Sequence, residues 1–127
     1  MEAEQYIDGN ELANRALFAI QGKDEIYNAL FNSLDSVTEV FSDRTVKLQE
    51  KYEAAISSEY IIARLRILVS DEQKKINTIL ASDASTSLIT LFKKRQVVIT
   101  SLLNRLNEIT NDMSIIQKLM YTYNSKF

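Results

Sequence analysis

At 127 residues, with 46% apolar and 25% charged side chains, the chain has the size and composition of one globular domain and is too hydrophobic for a disordered one. It contains no cysteine and no histidine, which excludes disulfide staples, thiolate or imidazole metal sites and nucleophiles activated by histidine. The net charge is −2, yet residues 1–60 carry five basic against twelve acidic groups while residues 61–127 carry ten against five, so the two halves are oppositely charged.

The first sixteen residues, MEAEQYIDGNELANRA, are acidic and lack a continuous apolar core, which argues against a signal peptide. No apolar run approaches the ~18 residues of a membrane span. The expected location is therefore cytoplasmic or otherwise intracellular, with leaderless export left open. Within residues 1–22 a short cap helix is predicted near 11–21, with Asp8 or Asn10 as its N-cap and Leu12, Ala16, Leu17 and Ile20 as its apolar face. Gly22 suits the left-handed position that ends a helix.

From residue 24 the pattern becomes heptad. Tyr27, Leu34, Phe41, Leu48, Ala55, Ile62, Val69 and Ile76 recur every seven residues without a polar member. The companion column, Leu30, Val37, Arg44, Lys51, Ser58, Leu65, Glu72 and Ile79, is only half apolar. Phase is kept throughout, which predicts one long helix over residues 24–82, with Ser57 and Ser58 as its weakest point. The run ASDASTS over residues 81–87 is the next breaker, and its Ser and Asp residues can cap the helix after it. A second helix is predicted over 86–125, where Leu88, Phe92, Arg95, Ile99, Leu102, Leu106, Ile109, Met113, Ile116, Met120 and Tyr123 alternate spacings of four and three.

A tight turn near residue 84 would pair positions whose numbers total 167 or 168. Ile79 then meets Leu88, Ile76 meets Phe92, Val69 meets Ile99, Leu65 meets Leu102, Ile62 meets Leu106 and the small Ala55 meets the long Met113. The same offset sets Glu72 opposite Arg95, the one layer in which both helices place a charge in the seam, and an ion pair there would fix the register. The predicted fold is all-α, a single domain built as an antiparallel coiled-coil helical hairpin with a short N-terminal helix. A compact three- to four-helix bundle, produced by a break at Ser57 and Ser58, is the alternative.

Two apolar surfaces remain after the hairpin closes. One is the unpaired extension Tyr27, Leu30, Phe31, Leu34, Val37 and Phe41; the other is a flank that includes Ile61, Leu68, Val98 and Leu103, positions an isolated two-stranded coil would keep polar. Contiguous apolar patches of this kind mark interfaces, so these ten residues are the candidate partner-binding set. Lys93, Lys94 and Arg95 with Arg64, Arg66, Lys74, Lys75 and Arg105 form the densest basic region, but they spread around the helices and the sequence pI is about 5.2, which disfavours nucleic acid as a partner. Carboxylates occur singly or as neighbours pointing to different sides, without the spacing of a di-metal bundle. No catalytic, cofactor or metal residues are predicted.

The organisation resembles that of small helical adaptors, including export chaperones of flagellar and related secretion systems and subunits of coiled-coil assemblies. The function expected is that of a non-catalytic interaction subunit, structural or adaptor in kind, which self-associates or joins a hetero-complex through its apolar stripes. A chaperone or targeting factor for a secreted or labile partner, and a nucleic-acid-associated regulator, are the alternatives.

Overall fold

A computed structural model describes residues 8–125, whose regular structure is all helical. The start of the predicted cap segment, residues 1–7, and the last two residues lie outside the described part, so the reading of the N-terminal leader concerns residues outside it. Among the described residues four helices occur in order: α1 over Gly9–Ile20, α2 over Lys23–Ser42, α3 over Leu48–Leu80 and α4 over Thr86–Ser125.

Helix α1 starts where the sequence places a cap. The Asp8 carboxylate accepts from the Glu11 backbone N–H at 2.8 Å, satisfying one of the free donors of the first turn. The buried residues of α1 are Gly9, Ala13 and Ala16, all small, so its backbone lies close against the rest of the molecule. Gly22, with φ of 79°, adopts the left-handed conformation between α1 and α2. The two helices thus form one bent arm.

The hairpin of α3 and α4 has the register read from the heptads. Arg95 is hydrogen-bonded to Glu72 through both its Nε and its Nη2, and Ala55, Ile62, Leu65, Val69, Ile76, Phe92, Ile99, Leu106 and Met113 are all buried. The long helix 24–82, however, is two helices. Its interruption is at residues 43–47, and Ser58 lies undisturbed inside α3, buried, with its hydroxyl donating to the Ala54 carbonyl at 2.8 Å.

The physical reason for the break is what α2 buries by folding back. Tyr27, Phe31 and Leu34 become buried, each stabilising the fold by about 1.5–3 kcal/mol. Interrupting the helix forfeits a few backbone hydrogen bonds, each about 1 kcal/mol net. Burial wins. The local sequence also helps: Thr45 and Val46 are β-branched and weak helix formers, and the Asp43 side chain accepts from the Thr45 N–H at 2.9 Å and its hydroxyl at 2.7 Å, closing a turn that competes with the helix.

The arm of α1 and α2 lies along one side of the hairpin. Its beginning touches the α3–α4 turn, its middle meets Glu72 and Arg95, and Thr38 and Phe41 near its end share a groove with Asp112 and Ile116. The arm therefore runs parallel to α4 and antiparallel to α3, giving three helical layers around one core. Among the described residues no helix is long and apolar enough to cross a membrane.

Candidate interaction surface

Three polar attachments hold the arm, and they decide which apolar residues remain free. At the turn the attachment is reciprocal. The Gly9 N–H donates to Asp83 Oδ1 at 2.6 Å, while the Ser85 N–H donates to Asn10 Oδ1 at 2.7 Å. A carboxylate at a helix N-terminus is also favoured by the helix dipole. Gly9 is required there by space: a Cβ would overlap the Ala84 backbone nitrogen and come within 2.6 Å of Asp83 Oδ1 and Ser82 Oγ.

The second attachment is a network centred on Glu72, whose side chain is 2% exposed. The Tyr27 hydroxyl donates to Glu72 Oε1 at 2.7 Å, Arg95 donates to both carboxylate oxygens, and Arg95 Nη1 reaches Asp24 Oδ1 at 2.7 Å. One buried carboxylate thus joins α2, α3 and α4. Burial first, and then donation to the Glu72 carboxylate, push the Tyr27 phenol above its ordinary value. The hydrogen bonds to Glu72 raise the Arg95 guanidinium in turn, against the opposing effect of its burial. Among the described residues no buried side-chain polar atom lacks a partner, as a buried charge requires.

The third attachment is Arg105 of α4, which stacks over the Phe31 ring at 4.4 Å from its centroid and pairs with Asp35 one turn further along α2. The acidic arm and the basic fourth helix are thereby matched within one chain. Of the basic region read from sequence, Arg95 and Arg105 are committed to the arm, and Arg66 donates to Asn107 and Thr110 across the hairpin.

These attachments redistribute the predicted partner-binding set. Tyr27, Phe31 and Leu34 are core residues, buried on the inward side of the arm. Leu30, Val37, Phe41, Ile61, Leu68 and Leu103 are half-buried, and of these Leu30, Phe41, Ile61, Leu68 and Leu103 pack against that core. Only Val98 of the ten is exposed; with Leu17, Ile20 and Leu91 it borders a shallow groove of about 230 Å³ beside α1. Glu72 and Arg95 form the predicted pair, extended by Tyr27 and Asp24.

Large apolar residues are also exposed outside this set, among them Phe18 on α1, Val97, Leu119 and Tyr121 on α4, and a line on α3. On the outer side of α3, away from both the seam and the arm, Ile56, Tyr60, Ala63 and Ile67 succeed one another at spacings of four, three and four, with Ile56 45%, Tyr60 76% and Ile67 63% exposed. Those spacings put them in one line along the helix. Glu53 and Lys74 close the line at its two ends. Ser57, Arg64 and Asp71 border it on one side and Glu59, Arg66 and Gln73 on the other. Sequence periodicity passed over this line because the inward heptad columns of α3 are the stronger signal; the same counting applied to the outward positions finds it.

Among the described residues no three acidic side chains gather into a metal-binding group. The grooves that flank α1 are open and mostly apolar, the one over Leu12, Ala16, Ala19 and Ile79 measuring about 300 Å³. Comparison with protein-family models, with curated proteins and with solved structures finds no match to this chain.

Proposed function

We propose that the chain is a non-catalytic protein–protein interaction subunit, structural or adaptor in kind, whose docking face is the outer surface of α3. The observation that carries this reading is the solvent-facing line Ile56, Tyr60, Ala63 and Ile67 on a helix whose other faces are already occupied. An apolar centre with a charged and amide rim is the arrangement of a protein interface, and tyrosine is among the residues that most often dominate binding energy there. The line is straight, about 16 Å long at 1.5 Å per residue, and suits an amphipathic helix from a partner laid alongside α3.

The test is a photoreactive amino acid placed at position 60 in the producing cell, followed by identification of the captured protein. Binding of that protein is then measured against Tyr60→Glu and Ile67→Glu, which leave the folded core untouched. Each is expected to weaken binding about 30-fold, the equivalent of a ~2 kcal/mol anchor. Unchanged affinity in both would remove α3 as the docking face.

A further inference from the structure

We propose that two copies of this chain exchange their α1–α2 arms, with residues 43–47 straightening so that α2 and α3 become one continuous helix. Four observations lead to this. The heptad column runs through the connection in phase, since Phe41 and Leu48 are seven apart. The connection holds no glycine and no proline, and among the described residues none outside glycine has a positive φ, so nothing in its backbone forbids helix. Among the described residues the polar attachments of the arm are to α3, α4 or the turn between them, and each is re-formed unchanged when the arm comes from another molecule.

The fourth observation is the register. Tyr27 meets Leu68 and Glu72, so facing positions on α2 and α3 have numbers totalling 95 to 99. In two straightened copies lying antiparallel, a total of 96 sets Tyr27 against Val69, Leu34 against Ile62 and Phe41 against Ala55, and brings the two Leu48 residues together at the two-fold axis. The seven-residue column is thus self-complementary. Beside that axis a total of 97 places Arg44 opposite Glu53 and Lys47 opposite Glu50, opposite charges in both cases, in the only part of the dimer with no counterpart in the single chain.

The exchanged dimer keeps both the helix across 43–47 and the burial of Tyr27, Phe31 and Leu34, whereas the single chain gives up the first to obtain the second. The single chain prevails when dilute because closure within one molecule acts at an effective concentration of about millimolar. Short connections of this type favour exchange. The proposal is independent of the α3 docking face, which points away from the arm.

The experiment exploits the absence of cysteine. Asn28→Cys and Arg64→Cys, both at exposed positions, carry spin labels, and doubly labelled chain is diluted with unlabelled chain so that only distances within one molecule are read. Folded on itself, the chain holds the two labels on adjacent helices, under about 30 Å apart; along a continuous helix, 36 residues span about 54 Å. The measurement is made on the chain refolded from denaturant at about millimolar concentration, and on the Asp43→Ala, Thr45→Ala, Val46→Ala variant, whose connection favours helix and whose dimer dissociation constant should fall at least about tenfold. Dimers carrying the long distance in either sample are the expected result. Monomers throughout, or dimers in which only the short distance is found, would overturn the proposal, the latter by showing association without exchange.

Discussion

Removing Arg95 tests the reasoning about the buried network most directly. In Arg95→Leu, Glu72, 2% exposed, loses its cationic partner and retains only the Tyr27 hydroxyl of its cross-helix donors. Breaking a buried pair by deleting one partner costs about 3–5 kcal/mol, which for a domain of this length lowers the melting temperature by about 4 °C per kcal/mol, or roughly 12–20 °C. Glu72→Leu should be milder, because Arg95, 14% exposed and 2.7 Å from Asp24, keeps a carboxylate partner and a path to water. The double variant should recover most of the loss, since two leucines fill the layer and the Tyr27 hydroxyl is left with only the Leu68 carbonyl at 3.5 Å, a loss of about 1–3 kcal/mol at most. Adding Tyr27→Phe should recover that too. The assay is thermal and urea unfolding of the parent and the four variants, with the parent, the two single variants and the double treated as a mutant cycle. Arg95→Leu within about 1 kcal/mol of the parent, or a double variant no better than Arg95→Leu, would refute the view that the network is a coupled, water-excluded unit.

Gly9→Ala should destabilise the attachment of the arm to the hairpin turn by about 1–3 kcal/mol, because the added carbon meets the backbone of Ala84 rather than a movable side chain; a melting curve matching the parent would show that the turn yields. Alkaline stability should also report on Tyr27, whose folded-state value is raised. Its contribution is complete below the ordinary tyrosine value of about 10 and is lost as pH rises from there toward the folded value, because the unfolded chain releases the proton first. Relative to the parent, Tyr27→Phe should therefore lose less stability between about pH 9 and 11, read by urea unfolding at each pH; parallel profiles would contradict the placement of that hydroxyl.

The hairpin was legible because two independent heptad runs had to agree through one turn, and the single charged layer, Glu72 with Arg95, left little freedom in their offset. The cap at Asp8 and the bend at Gly22 were legible for similarly local reasons: a side-chain acceptor ahead of an apolar run, and a residue without a Cβ where the left-handed conformation is needed. The break at 43–47 was hidden. Ser57 and Ser58 looked weaker by composition, but a small polar side chain inside a helix satisfies itself on the preceding turn, as Ser58 does on Ala54. The break is instead set by what lies on either side of it, where Tyr27, Phe31 and Leu34 had no cover until α2 turned back. That is a tertiary demand, and the phase of the heptads crosses the site without recording it. The same demand explains why three of the predicted binding residues became core and six are half-buried, while the outward line on α3 stays exposed.

The order of the arm in the chain has a consequence for synthesis. Tyr27 leaves the ribosome 68 residues ahead of Arg95, which at about 5–20 residues per second is a delay of roughly 3–14 s. Throughout that interval the inward side of α2 is made but the surface it needs is not, while α3 and α4, joined by a short turn, can pair as soon as both have emerged. The arm, translated before the hairpin, is the last to find its place, and a crowded polysome holds many such arms close to one another.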